Sequence, residues 1–525
     1  MRNEGVGSWP ARRARMAPHR AAWSFEGRTA TYGELDERVR RLAHGLRGLG
    51  VARGDRVAYL GVNHPALLET LFATGAVGAV AVLVNARLAV PEVAHILADS
   101  GTGVVIHGAE HADHAEALRP RVTGVRHWVD VDGPGTDPAA CGYERLVAAS
   151  SDQQDGELDE PVGLEDPCAL MYTSGTTGQP KGAVISHGNM TWNNYNQLIS
   201  VDLRPDERTL AIAPLFHLGG LNLTVTPTMM RGGLVHVLRA FEPGTVLRTL
   251  ARERITSVFA VPAMLEAMQV HPDFAGTDLS HLRTLLAGGA PLTRTTLDTW
   301  LDRGVVLQQG YGMTEASPSG LLLDAEDARR KVGSAGRMSF FTDVRVVAAD
   351  GGPVAPGEVG EVVLQGPNLM TGYWNRPDAT AAAFADGWFR SGDAATVDEE
   401  GYVFISGRHK DMYISGGENV YPAEVENVLV TLPGVRDAAV VGVPDERWGE
   451  TGVAVVVAAP GARIDPDEVI AAVRERLAGY KVPRRVVVVE DLPRTASGKV
   501  RKHLLRDVVT PGRPGAPDDS PAKEP

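Results

Sequence analysis

The chain has 525 residues, with 52 Lys plus Arg against 65 Asp plus Glu and a formal net charge of −13. That length exceeds one compact core and points to roughly two to four domains, and the acidic balance excludes non-specific nucleic-acid binding, which needs a basic footprint. A composition of 43% hydrophobic and 22% charged residues is that of an ordinary globular chain, and two cysteines, Cys141 and Cys168, exclude a disulfide framework or a Cys-rich metal site.

A reducing cytoplasm is therefore the expected location. The Arg-rich opening at 2–15 has no apolar segment behind it, so no secretory signal is expected. The longest apolar run, 71–84, is too short and too Gly-rich to cross a bilayer, which leaves a peripheral membrane role open.

In chain order, Thr31 with Glu34 reads as a capping box. Leu35, Val39, Leu42, Leu46 and Leu49 continue it as one helical stripe, which Gly50 ends. Residues 57–60 read as a strand, Pro65 as a helix start, and 79–84 and 104–106 as buried strands. Strands separated by helices imply crossover units and mainly parallel sheets.

Between 160 and 330 the same alternation continues, but the strand ends become unusual. Residues 168–172 lead into Thr173-Ser-Gly-Thr-Thr-Gly-Gln-Pro-Lys181-Gly182, and 209–213 into Pro214-Leu-Phe-His217. Residues 284–287 give way to Gly288-Gly289-Ala290-Pro291, and 305–308 to Gln309-Gly310-Tyr311-Gly312-Met313-Thr314-Glu315. Ligands of open α/β sheets bind outside the carboxyl ends of the strands, so these loops point to one shared crevice. The stretch 173–182 can wrap phosphate oxygens with backbone N–H groups, hydroxyls and the Lys181 ammonium. It is not a Walker A loop: Pro180 stands where a glycine is required, no Ser or Thr follows Lys181, and it links two strands instead of opening a helix.

From about 343 the texture turns to short β-rich segments such as 359–364 and 402–406, and after Arg408 a smaller α+β unit begins. The tail from 510, rich in Pro, Gly, Asp and Lys, is expected to be disordered. No internal repeat is visible.

The segment Tyr172-Thr-Ser-Gly-Thr-Thr-Gly-Gln-Pro-Lys-Gly182 resembles the signature loop of the adenylate-forming superfamily, which includes acyl-CoA synthetases, aryl-CoA ligases, peptide-synthetase adenylation domains and firefly luciferase. Further family-like segments follow in order: Gly310 to Glu315, Trp388 to Asp393, Gly407 to Asp411, Gly416 to Pro422, and Pro493 to Lys499. The resemblance spans 10–507.

It implies an α/β fold: a large N-terminal domain (1–408) of mainly parallel sheets with a small β-barrel-like subdomain, a hinge at 409–410, a mobile α+β C-terminal domain (411–507) and a tail (508–525). It also implies an AMP-forming acid–thiol ligase. A carboxylate attacks the α-phosphate of ATP, giving acyl-AMP and pyrophosphate, and the thiol of coenzyme A then displaces AMP. ATP, Mg²⁺ and coenzyme A are the implied reactants and ion.

By the same resemblance Lys499 bridges the carboxylate and the α-phosphate, Thr314 touches phosphate, and Glu315 is the metal ligand. ATP or AMP contacts are implied for Thr173, Ser174, Gly175, Thr176, Thr177, Gly178 and Lys181 of the loop. They are implied too for Gly288, Gly289 and Ala290, and for Gly310, Tyr311, Gly312, Met313 and Thr314. Asp393 is expected on the ribose hydroxyls, with Arg408 beside ribose or phosphate. Lys410 matches the hinge about which the small domain turns between an adenylating and a thioester-forming pose, and Gly416 and Gly417 line the pantetheine tunnel.

Amino-acid-activating relatives carry an Asp just after the Phe of the 214–217 segment; His217 stands there, which argues against an α-amino acid. His217, Gly219, Val261, Gly288 and Gly312 are the expected acyl-pocket residues. With the apolar Leu218, Leu221, Met229 and Met264 nearby and no Arg for a second carboxylate, they suit a medium-chain fatty or aryl acid. Two alternatives stand beside the CoA ligase: a free-standing acyl-AMP ligase that loads a carrier protein, and a non-catalytic nucleotide-binding protein. No nucleic-acid partner or transmembrane segment is expected, and a homodimer is compatible with the sequence.

Overall fold

The computed structural model of the protein describes residues 3–132, 140–148, 158, 160–173, 179–289, 292, 294–408, 412–420, 422–493, 500 and 502–509. The chain forms two compact units. One comprises Met1–Ala86, Val93–Thr173 and Lys181–Gly407; the other comprises Arg87–Glu92, Ser174–Pro180 and Arg408–Pro525.

The first unit is built on two large sheets. In one, the strands Leu307–Gly312, Thr284–Ala287, Ser257–Ala260, Arg208–Ala211, Leu234–Val237 and Ala21–Phe25 form a parallel block. Antiparallel strands Ser319–Leu322 and Arg28–Thr31 flank it. In the other sheet, Pro167–Thr173, Val80–Val84, Arg56–Leu60, Val104–Gly108, His127–Val131 and Ala140–Gly142 run parallel, with Lys181–Ser186 antiparallel at one side. These are the crossover-linked parallel sheets that the alternating pattern predicts. A third, antiparallel sheet includes Asp343–Val347, Gly360–Gln365 and Trp388–Val397, within the β-rich segment read from the sequence.

Local chemistry explains where elements begin and end. Thr31 caps the helix Tyr32–Gly48: its Oγ1 accepts from the Glu34 N–H at 3.2 Å while the Glu34 carboxylate accepts from the Thr31 N–H at 2.7 Å. The apolar stripe Leu35, Val39, Leu42 and Leu46 is buried. The run 71–84 divides between the helix Pro65–Val77 and the strand Val80–Val84, and the break is Gly78 at φ +71°, a conformation that costs glycine little. Among the described residues no helix is long and apolar enough to cross a membrane.

The second unit packs helices on both faces of a sheet. Its central strands Val435–Asp445 and Gly449–Ala458 carry the unbroken non-polar runs 438–444 and 452–458, without polar alternation, because each face has its own cover. Val440, Ala454 and Val456 face the helices Pro422–Leu429 and Pro466–Arg474; Val441, Val455 and Val457 face Leu505 and Val509 of the helix Lys502–Val509. The tail at 510–525 lies outside the described residues.

Replacing Thr31 by Ala removes the cap acceptor and is expected to cost about 1 kcal/mol of the first unit's stability. Thr31→Ser is expected to retain most of it, with both read from urea midpoints at constant slope.

Candidate active site

Several of the chemically distinctive loops leave strand ends of the first unit. The strands Pro167–Thr173 and Lys181–Ser186 pair antiparallel as a hairpin with Thr173 opposite Lys181. Ser174, Gly175, Thr176, Thr177 and Gly178 lie outside the described residues, as do Ala290, Lys410, Lys499 and the side chain of Arg408.

Glu315 sits in the short turn Thr314–Ala316 that follows Leu307–Gly312. Its Oε1 accepts from the Tyr373 phenol at 2.9 Å and from Thr173 Oγ1 at 3.3 Å. The hairpin of one sheet and the strand end of the other thus meet at one carboxylate. Tyr373 is held there because the segment around it lies along Lys181–Ser186: Gly372 pairs with Val184, and the Trp374 N–H donates to the Gly182 carbonyl. The Lys181 ammonium lies 5.4 Å from the centre of the Tyr373 ring.

Asp393 is 3% exposed on the strand Trp388–Val397, and its Oδ2 accepts from the Tyr311 phenol at 2.6 Å. The two acids singled out from the sequence therefore share a design, in which each carboxylate takes a tyrosine O–H from a different segment. Such charge-assisted bonds fix the oxygens' direction. A third phenol, Tyr172, donates to Asp99 at 2.8 Å. Burial first, and then the Asp99 carboxylate, raise its pKa and keep it a proton donor.

Glycines surround these groups where backbone must come close. A Cβ on Gly312 would lie 1.7 Å from the Pro318 carbonyl oxygen, and one on Gly288 would lie 3.1 Å from the Gly310 oxygen. Gly219 and Gly288 converge on the Phe259 ring, their added Cβ positions 3.2 and 3.7 Å from it, and Gly289 approaches Val261 at 3.6 Å. His217 stands at the start of the Leu218–Gly220 turn, half-buried, its ring 4.8 Å from that of Phe216. Val261 packs against both the small cluster that contains Phe259 and the core that contains Met264, whereas Met229 belongs to another core.

Sequence reasoning did not single out Phe259, Tyr373 or Asn222. Phe259 and Tyr373 lie in ordinary strand text, and a side chain that acts by reaching a residue 58 positions away, as Tyr373 does, leaves no linear motif. In the second unit Gly416 and Gly417, at φ +59° and +81°, form the two-residue turn between Tyr413–Ser415 and Glu418–Val420. A Cβ on Gly416 would strike the Trp448 ring at 2.5 Å.

Among the described residues no group of three or more His, Cys, Asp and Glu side chains is placed to cage a metal. A single carboxylate flanked by hydroxyls suits a hard cation that brings phosphate oxygens with it.

Against this geometry, residues 10–374 match the family model described as AMP-binding enzyme, and 424–499 match the AMP-binding enzyme C-terminal domain. A feruloyl-CoA synthase of Amycolatopsis sp is 55% identical over 96% of this chain and 99% of its own length. An indoleacetate–CoA ligase of Aromatoleum aromaticum is 42% identical over 96% and 98%. The structure of an o-succinylbenzoate CoA synthetase double mutant from Bacillus subtilis, bound with its product analogue, superposes with a TM-score of 0.84 at 31% identity, covering 95% of this chain and 98% of that one.

Tyr311→Phe removes the phenol's hydrogen bond to the Asp393 carboxylate. Loss of a hydrogen bond to a charged group is worth about 1.5–3 kcal/mol, so the first unit is expected to lose stability of that order, read from the urea midpoint at constant slope.

Proposed function

We propose, from the premise that this chain belongs to the AMP-binding enzyme family and is an AMP-forming acyl-CoA synthetase, that its acid is an aryl carboxylic acid of the hydroxycinnamic type. The observation that carries this reading is the 55% identity, along nearly the full length of both chains, to a feruloyl-CoA synthase. The Phe259 ring faced by Gly219 and Gly288 adds a flat apolar wall beside the expected acyl segment.

The reaction proceeds in two displacements. A carboxylate oxygen of the acid attacks the α-phosphorus of ATP; the bond to the bridging oxygen breaks, and pyrophosphate leaves with its electrons. The coenzyme A sulfur then attacks the acyl carbon of the adenylate, and AMP departs with the carbon–oxygen bonding pair. The first step forces two anions together, so positioning and preorganised positive groups supply most of the rate.

In this reading Asp393 receives the ribose hydroxyls, with Tyr311 orienting it and lying along the adenine beside Gly288 and Gly289. Thr173 and Lys181 flank the phosphates, together with Ser174, Gly175, Thr176, Thr177 and Gly178 of the Gly/Thr-rich stretch. Glu315, directed by Tyr373, would hold Mg²⁺ with Thr314 beside it, and that ion would offset charge on the ATP phosphates. Lys499 places its ammonium between carboxylate and α-phosphate in the first half-reaction, with Arg408 at the ribose. Lys410 is the hinge, Gly416 and Gly417 line the thiol's approach, and His217 borders the acid.

The test is an acid panel with ATP and Mg²⁺. Ferulate and related cinnamates are expected to release pyrophosphate, and added coenzyme A to give AMP and a thioester visible by mass. Preference for medium-chain fatty acids contradicts the aryl assignment, adenylate without any CoA thioester supports carrier loading, and silence with every acid supports a non-catalytic nucleotide-binding protein.

Lys499→Ala is expected to lower adenylate formation by about a hundredfold or more, the loss seen when one preorganised donor is removed. Thioester formation from supplied feruloyl-adenylate is expected to stay within a few-fold; equal loss in both halves contradicts the role given to Lys499.

A further inference from the structure

Asn222 occupies an unusual place. It is fully buried, five residues after His217, and its side chain bonds on both sides: Nδ2 donates to the Ser317 carbonyl at 2.7 Å, and Oδ1 accepts from Asn194 Nδ2 at 3.0 Å and from Thr226 Oγ1. Its backbone carbonyl accepts from Asn193 Nδ2 at 2.6 Å. The segment it reaches is the turn directly after Glu315.

Beside its own backbone bonds, from the Ala316 N–H to the Met313 carbonyl and from the Ser317 N–H to the Thr314 carbonyl, that turn is tied to the rest of the unit by side-chain amides. Asn368 Nδ2 donates to the Ala316 carbonyl at 2.6 Å and to the Ser319 carbonyl at 2.8 Å, Asn222 takes Ser317, and Asn193 Oδ1 accepts from the Ser319 N–H at 3.2 Å. Ser317 sits at φ +62°, which a residue with a Cβ adopts at a cost and keeps where its surroundings over-determine it. Neutral amides do this in a buried place without adding a charge that would compete for phosphate or metal. Asn193 and Asn194 belong to the helix His187–Ser200, so the frame rests on a rigid element.

We propose that Asn222 is a positioning residue for adenylation: by clamping the 316–319 turn to the segment that begins at His217, it sets where Glu315 presents its carboxylate and couples the acid side of the site to the phosphate side. This rests on the acyl-CoA synthetase reading above, and the experiment separates the two.

In Asn222→Asp the shape is kept but an oxygen replaces the donor facing the Ser317 carbonyl. Calorimetry with ATP, with and without Mg²⁺, and with AMP alone reads the turn directly. The strengthening of ATP affinity by Mg²⁺ is expected to shrink about tenfold in the variant, while AMP affinity stays within about threefold because Asp393 and Tyr311 bind elsewhere. In pyrophosphate release with ferulate, kcat is expected to fall about a hundredfold, the cost of a shift on the order of 1 Å, with the acid KM within about threefold.

Asn222→Leu tests the same loss with an apolar side chain, should the aspartate hinder folding. Thr191→Val is the control: Thr191 is buried on the same helix, but its hydroxyl donates to the helix's own His187 carbonyl at 2.7 Å, and wild-type behaviour is expected. The proposal is overturned by an unchanged Mg²⁺ effect and kcat in the Asn222 variants, by AMP affinity falling in step with ATP affinity, by equal losses in Thr191→Val, or by a wild-type ATP affinity indifferent to Mg²⁺. A wild type that turns over no acid overturns the synthetase reading, and the calorimetric comparison still decides the role of Asn222.

Discussion

The constraint on which everything else depends is electrostatic: a carboxylate must be brought against a phosphate, anion to anion, in a site made dry enough for the chemistry. The first unit supplies fixed directions: two carboxylates, Glu315 and Asp393, each turned by a tyrosine phenol, and glycines that let backbone approach. Fixing oxygens before substrate arrives removes reorganisation from the barrier, which is where preorganised sites gain most of their rate.

The two large sheets explain why such a site exists at all. A parallel strand ends where its crossover begins, so the carboxyl ends of neighbouring strands gather loops that are far apart in the chain. Thr173 from one sheet and Glu315 from the other lie 142 positions apart and touch. The frame behind them is polar as well as hydrophobic. Buried amides on the helix His187–Ser200 bind the backbone of the Glu315 turn, and since an unsatisfied buried amide is costly, the network favours one arrangement over near alternatives.

Much of this was legible in the sequence, for identifiable reasons. Period-2 and period-3.6 patterns are local, so the strand Thr284–Ala287 and the Thr31 capping box were readable where they stand. The motifs at 173–182 and 310–315 were readable because glycines, hydroxyls and acids at fixed spacing have few other uses. What escaped is what depends on distant pairing. Phe259 reads as one more strand residue until Gly219 and Gly288 are brought against it, and Asn193, Asn194 and Asn196 form no linear motif, although all three are buried. Composition misleads there because amides are usually outside, and these are inside as connectors.

The claim that orders the account is that the acid attacks the α-phosphorus. It is tested most directly by supplying ferulate labelled with ¹⁸O in its carboxylate, together with ATP, Mg²⁺ and coenzyme A, and weighing the products. Attack at the α-phosphorus delivers one labelled oxygen to AMP per thioester formed. Label in inorganic phosphate, or AMP that carries none, contradicts it.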